Sequence, residues 1–118
     1  MTRIRLTYRA LEDIDNIYQY SCAKWGEGVA DQYLGRMQES LKLLEEYPQL
    51  LKVNDNISNR FKVYPAGKHF LVCDMIDKDI YVLTVQHMSS DLINMLQDMV
   101  PTLEEEANAL YQRLKRSR

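Results

Sequence analysis

Four side chains in this 118-residue chain have the types and spacing to do chemistry together: Arg60, Lys62, His69 and His87. Metal-free cleavage of RNA needs a base for the 2′-hydroxyl proton, cations for the charged phosphate, and an acid for the leaving oxygen. Two imidazoles, a guanidinium and an ammonium would supply all three. Each residue also has a structural reading. Arg60 and Lys62 alternate with the apolar Phe61 and Val63, the pattern of a strand that turns its polar residues to solvent. His69 stands at a strand start, where histidine commonly serves as a hydrogen-bonding group. His87 closes the last apolar strand and is the best placed of the four for a site. No cofactor and no metal is expected. Cys22 and Cys73 lack partners at ligand or redox spacing, and both fall in apolar-patterned stretches, as buried free thiols in a reducing compartment would.

The elements that must position these residues follow from periodicity. Arg3–Tyr8 alternates with period two, a strand with one face on a core. Leu11, Ile14, Ile17, Tyr18, Cys22 and Trp25 then recur at steps of three and four, predicting a helix whose stripe, Trp25 included, packs inward. Its start shows no obvious capping residue. Gly26 and Gly28 supply a turn, and Ala30, Tyr33, Met37, Leu41 and Leu44 form the stripe of a second helix that Pro48 ends. Two amphipathic helices joined this closely form an antiparallel hairpin. Three strands follow: Arg60–Tyr64, His69–Met75 after the Pro65-Ala66-Gly67-Lys68 turn, and Ile80–Gln86 after Asp77-Lys78-Asp79. The order is β-α-α-β-β-β, an α+β fold with a helical hairpin on a small antiparallel sheet.

Beyond His87 the pattern is helical again. Leu92, Ile93, Leu96 and Val100 make one stripe, and Pro101 interrupts it. Thr102 and Glu105 have capping-box spacing, and Leu103, Ala107, Leu110, Tyr111 and Leu114 make a second. Isolated helices this short are marginal in water, so residues 92–118 are expected to be a C-terminal helical extension of a 1–91 domain, not an independent domain. The first stripe should pack on the body. The second should be mobile or intermolecular, which makes Leu103, Leu110, Tyr111 and Leu114 candidates for partner binding beside Arg60 and Lys62. Arg113, Lys115, Arg116 and Arg118 form a basic end that suits a helix C-terminus.

Charge narrows the function classes. Formal net charge is −2, with eleven basic and fourteen acidic side chains before Pro101 and four against three after it. That balance argues against a general grip on nucleic-acid phosphates and leaves room only for a focused site. Direct nucleic-acid binding by the chain alone is not expected. The N-terminus Met1-Thr2-Arg3-Ile4-Arg5 has no apolar signal segment and no run reaches membrane-span length, so no membrane association and a cytoplasmic location are expected.

The element order and several local sequences together resemble the RelE/ParE toxin superfamily, on its ParE side. They are Ala10-Leu11-Glu12-Asp13-Ile14, Trp25-Gly26, Tyr47-Pro48, Arg60-Phe61-Lys62-Val63, Gly67-Lys68-His69-Phe70-Leu71-Val72, and Ile80-Tyr81-Val82-Leu83-Thr84-Val85-Gln86-His87. The likeness spans about residues 3–91 and lies in their order and spacing, not in any single motif.

The resemblance implies the toxin of a type II toxin–antitoxin pair, held inactive by a cognate, ParD-like antitoxin. On the ParE branch the implied target is DNA gyrase. On the RelE branch it is mRNA on the ribosome, with Arg60, Lys62, His69 and His87 as the candidate catalytic set. A third implied reading is a module that binds an antitoxin but poisons nothing. One fold serves all three, so the residues must choose. Thr84 stands where the superfamily pattern often has an arginine, removing a fork-shaped phosphate binder. Met88 follows His87 where some ribosome-dependent members have tyrosine, and the acidic balance suits a ribosome-entering nuclease poorly. The preferred expectation is therefore a gyrase-directed toxin with no catalytic residues of its own.

Overall fold

The computed structural model describes residues 2–116. Strand β1 (Ile4–Leu6) leads into helices α1 (Tyr8–Trp25) and α2 (Glu27–Glu46). A 3₁₀ turn at Pro48–Leu50 follows, then β2 (Lys52–Val53), β3 (Lys62–Ala66), β4 (His69–Ile76), β5 (Asp79–His87) and α3 (Leu92–Arg116). The expected β-α-α-β-β-β order is present with one addition, the two-residue strand β2. The five strands lie in the order β1-β5-β4-β3-β2. The sheet is mixed, not wholly antiparallel, because β1 runs parallel to β5 with Ile4 opposite Ile80 and Leu6 opposite Val82.

Thr7 joins the first strand to the first helix. Its hydroxyl accepts the Ala10 N–H at 3.2 Å and donates to the Leu83 carbonyl at 3.1 Å, so α1 does have a side-chain cap. The buried face of α1 is narrower than the apolar stripe suggests. It is centred on Ala10 and Ser21, with Ile14 and Ile17 partly buried, while Leu11 and Trp25 are exposed. Small residues let the helix axis approach the sheet closely, which leaves the larger flanking side chains at the rim.

The sheet carries a separate core on each face. Leu71, Cys73, Ile80, Val82 and Val85 pack under the helical hairpin against Ala10, Met37 and Leu44. Phe61, Val72, Ile76, Tyr81 and Leu83 pack under α3 against Leu92, Leu96, Leu103 and Ala107. Period-two alternation along β4 divides the residues between these faces. A bulge adjusts the pattern. Cys73 pairs with Val82 and Val72 with Thr84, leaving Leu83 as the extra residue on β5.

The expected break at Pro101 does not occur. One helix runs from Leu92 to Arg116 with the proline inside it, and Thr102 and Glu105 cap nothing. An internal proline costs a helix about 3 kcal/mol. Burying a leucine fully returns roughly 1.5–3 kcal/mol, and Leu92, Leu96 and Leu103 are all buried in one helical register that spans the proline. Packing therefore outweighs the local penalty, and Pro101 itself is exposed. The second stripe is likewise not detached: Leu103 and Ala107 are core residues, and Leu110 and Leu114 pack against them. Arg118 of the basic end lies outside the described residues.

Candidate functional site

The turn between β3 and β4 is built around one phenol. Tyr33, on the inner side of α2, projects its hydroxyl to the turn, where it accepts the Lys68 N–H at 2.9 Å and lies 3.3 Å from the Ala66 carbonyl. The same oxygen is 2.5 Å from Nδ1 of His69. Gly67 is required twice over. Its φ of +63° is in the left-handed region, and a Cβ there would come within 2.9 Å of the Tyr33 hydroxyl. His69 is buried, and burial, then the neighbouring His87, lowers its pKa to about 4. Burial likewise raises the Tyr33 phenol. At neutral pH the pair is therefore a neutral imidazole bonded to a neutral phenol.

His87 sits directly across the ladder from His69, with ring centroids 5.2 Å apart and planes at 85°. It is exposed, at the mouth of an open groove between the helical hairpin and the β3–β4 turn. Trp25 lines the same groove at 51% exposure, edge-on to Tyr20 at 5.9 Å. The ammonium groups of Lys24 and Lys68 lie 5.3 and 6.0 Å from the tryptophan ring centre, and the Arg36 guanidinium is 6.0 Å from that of Tyr33. The tryptophan expected in the core is thus at the surface, in a setting of aromatic rings and cations. Glu39 lines the groove as its acidic member.

The remaining sequence candidates are elsewhere. Arg60 serves the opposite face of the sheet. Its guanidinium contacts the buried Asp74 carboxylate at 2.9 and 3.0 Å and donates to Asn108 of α3 at 3.0 Å. Lys62 pairs with Cys73 in the ladder, four residues along β4 from His69, or about 13 Å at the rise of a strand. Of the four residues proposed for RNA chemistry, then, only His69 and His87 are brought together. On α3, Leu103 is 1% exposed, Leu110 and Leu114 are packed on the core, and Tyr111 is 43% exposed. Among the described residues, no group of three or more His, Cys, Asp or Glu is arranged to hold a metal, and no helix is long and apolar enough to cross a membrane.

Sequence reasoning missed Tyr33, Trp25 and Lys68 as members of one site. Tyr33 and Trp25 fit helical stripes, and periodicity alone assigned them to the core. A helix-end tryptophan followed by Gly26, where the chain reverses, was the available sign that Trp25 need not be covered.

Residues 4–92 match the profile of the family described as the ParE toxin of the type II toxin–antitoxin system parDE. The chain belongs to the ParE toxin family. It is 27% identical over 89 residues to Toxin ParE1 of Caulobacter vibrioides, a match covering 75% of this chain and 92% of that relative. Its fold is similar to a chain of the chromosomal ParDE TA system from P. aeruginosa, with a TM-score of 0.67 at 16% identity over 75% of this chain and 98% of that one. The family match stops where α3 begins, so nearly the whole of that helix lies beyond the matched residues.

Proposed function

We propose that this ParE-family toxin acts by binding a protein target, DNA gyrase, and is neutralised by a cognate ParD-like antitoxin. The observation that carries this reading is the dispersal of the nuclease candidates. Arg60 is committed to Asp74 and Asn108 across the sheet, and His69 is buried, neutral and bonded to Tyr33. General base, acid and phosphate-binding cations must converge within hydrogen-bond reach of one scissile phosphate, and these residues do not. The half-exposed Trp25 with its flanking lysines is the kind of anchor that protein interfaces use. The antitoxin belongs to the proposal because the family is that of type II pairs and the similar solved fold comes from a ParDE system.

A RelE-like mRNA interferase is the second reading. It is favoured by one observation, the exposed His87 opening onto a groove that also holds Lys68 and Arg36. Induction of the toxin without its partner separates the two. Under the gyrase reading, pulse labelling shows DNA synthesis falling first with an SOS response, and purified chain inhibits supercoiling by gyrase. Prompt loss of protein synthesis with mRNA cut at ribosomal A sites establishes the interferase instead.

A further inference from the structure

We infer that His69 and His87 together bind a late first-row divalent metal ion such as zinc or nickel, as a two-imidazole clamp across the open end of the β4–β5 ladder. The two residues are Cα partners, the first of β4 and the last of β5, so the backbone holds them opposite one another at the end farthest from the connecting turn. Both line the groove, His69 buried and His87 exposed. The spacing of the rings is that of a chelate. An imidazole nitrogen binds zinc at about 2.0–2.1 Å, which puts the ring centre roughly 3.2 Å from the metal, and two such rings at a tetrahedral angle have centres about 5.2 Å apart. The ring centres of His69 and His87 are 5.2 Å apart. Their planes stand at 85°, an angle that coordination leaves free because each ring turns about its own metal–nitrogen bond.

The surroundings suit a metal ligand. Metal-binding histidines have their second nitrogen held by an outer partner, which fixes the tautomer and the ring orientation. Tyr33 does this for His69. Its oxygen lies 2.5 Å from Nδ1 while accepting the Lys68 N–H and donating to the Ala66 carbonyl, which makes Nδ1–H the donor and leaves the lone pair on Nε2. Burial keeps that imidazole neutral, the form that coordinates. His87 is exposed, so its ring can turn a nitrogen to the same point without disturbing the core. Imidazole nitrogens favour zinc, nickel and copper, whereas magnesium and calcium require oxygen ligands. Among the described residues no group of three His, Cys, Asp or Glu is assembled, so an ion held by the pair keeps positions for water or for a donor atom of whatever occupies the groove. Coordination ties the β3–β4 turn, through Tyr33 and His69, to the last residue of β5.

Zinc chloride and nickel chloride titrated into the untagged full chain test this, read by calorimetry and thermal melts. A Cys22→Ser background keeps the part-exposed thiol from taking any share. The expected result is one ion per chain, a melting temperature that rises with metal and falls back with chelator, and no response to magnesium. His87→Gln, at an exposed position, should weaken binding by more than about tenfold and abolish the rise. Tyr33→Phe, which leaves both imidazoles in place, should weaken it by about tenfold, the usual effect of losing an outer-shell partner. That variant also loosens the turn, so imidazole nitrogen chemical shifts in the parent supply a readout independent of stability. Zinc should move Nε2 of His69 and one ring nitrogen of His87 together. Binding of equal strength in His87→Gln, or a parent chain that shows neither heat nor nitrogen shifts at millimolar zinc, overturns the inference.

Discussion

The carboxylate of Asp13, on the first helix, accepts both the hydroxyl of Thr84 at 2.5 Å and the N–H of Val85 at 3.0 Å on the last strand. Thr84 is wholly buried beside the bulge, and Gln86 donates to its hydroxyl at 2.8 Å. The residue that stands in place of an expected arginine therefore fastens helix to sheet. Thr84→Val should lower unfolding stability by about 1–3 kcal/mol, because a hydrogen bond to a charged acceptor is lost. Asp13→Leu should cost more, since it also orphans the Val85 N–H. Urea titration of the two variants checks the order, and equal midpoints for both and the parent would refute it.

Arg60 and Lys62 separate in their response to charge reversal. Arg60→Glu places a second carboxylate against Asp74, and even Arg60→Met leaves that buried charge unpaired, at a cost on the order of 3 kcal/mol. Pairing Arg60→Met with Asp74→Leu should recover most of the loss. Lys62→Glu, at a part-exposed strand position, should shift stability by well under about 1 kcal/mol. Thermal melts of the four proteins decide the matter. A loss of partner binding in Arg60→Glu would follow from misfolding, so Lys62→Glu is the informative variant for an interface role.

The Tyr33–His69 pair makes stability depend on pH in a defined window. Burial, and then the charge of His87, lowers the folded pKa of His69 from 6.5 to about 4. Between those values the unfolded chain binds a proton that the folded chain does not. The contribution is complete above pH 6.5 and declines as pH falls toward 4, with a slope of up to about 1.4 kcal/mol per pH unit. Denaturant midpoints at pH 7, 6 and 5 should show that decline in the parent and a shallower one in His69→Gln. Parallel pH profiles would mean that His69 titrates alike in both states.

Groove variants should separate binding from folding. His87→Gln removes an exposed ring that contributes little to the core, so toxicity should persist at an unchanged melting temperature. Trp25→Ala combined with Lys68→Glu should reduce toxicity at least tenfold in inducer titration while moving stability by less than about 1 kcal/mol. A folded His87→Gln that keeps target binding yet loses all toxicity would make the imidazole a catalytic group.

The hairpin and the three long strands were legible because each carries its period through at least one full repeat: Ala30, Met37 and Leu44 on α2, or the alternation from Phe70 to Ile76 on β4. What escaped reading depends on distant partners. Strand β2 has two residues and exists only because Lys52 and Val53 meet Val63 and Lys62. The parallel pairing of β1 with β5 joins residues 76 positions apart, beyond the reach of local patterning. Pro101 misled because local preference predicts a stop there, and only the apolar face beneath the helix overrides it. Of the site, His69 and His87 were found by residue type, whereas Tyr33 was hidden inside a helical stripe.

The partnership of β1 with β5 also sets a timetable for the chain. Strand β1 precedes its partner Ile80–Val82 by 76 positions, and α3 comes later still. Contacts of such sequence separation are formed late and slowly. The hairpin of α1 and α2 can assemble early from local contacts, but the turn that Tyr33 organises waits for Gly67–His69, and the ring of His87 for the last strand. A chain in which β5 has not yet docked therefore has no complete groove. Groove assembly is thereby tied to the slowest-forming contacts of the fold.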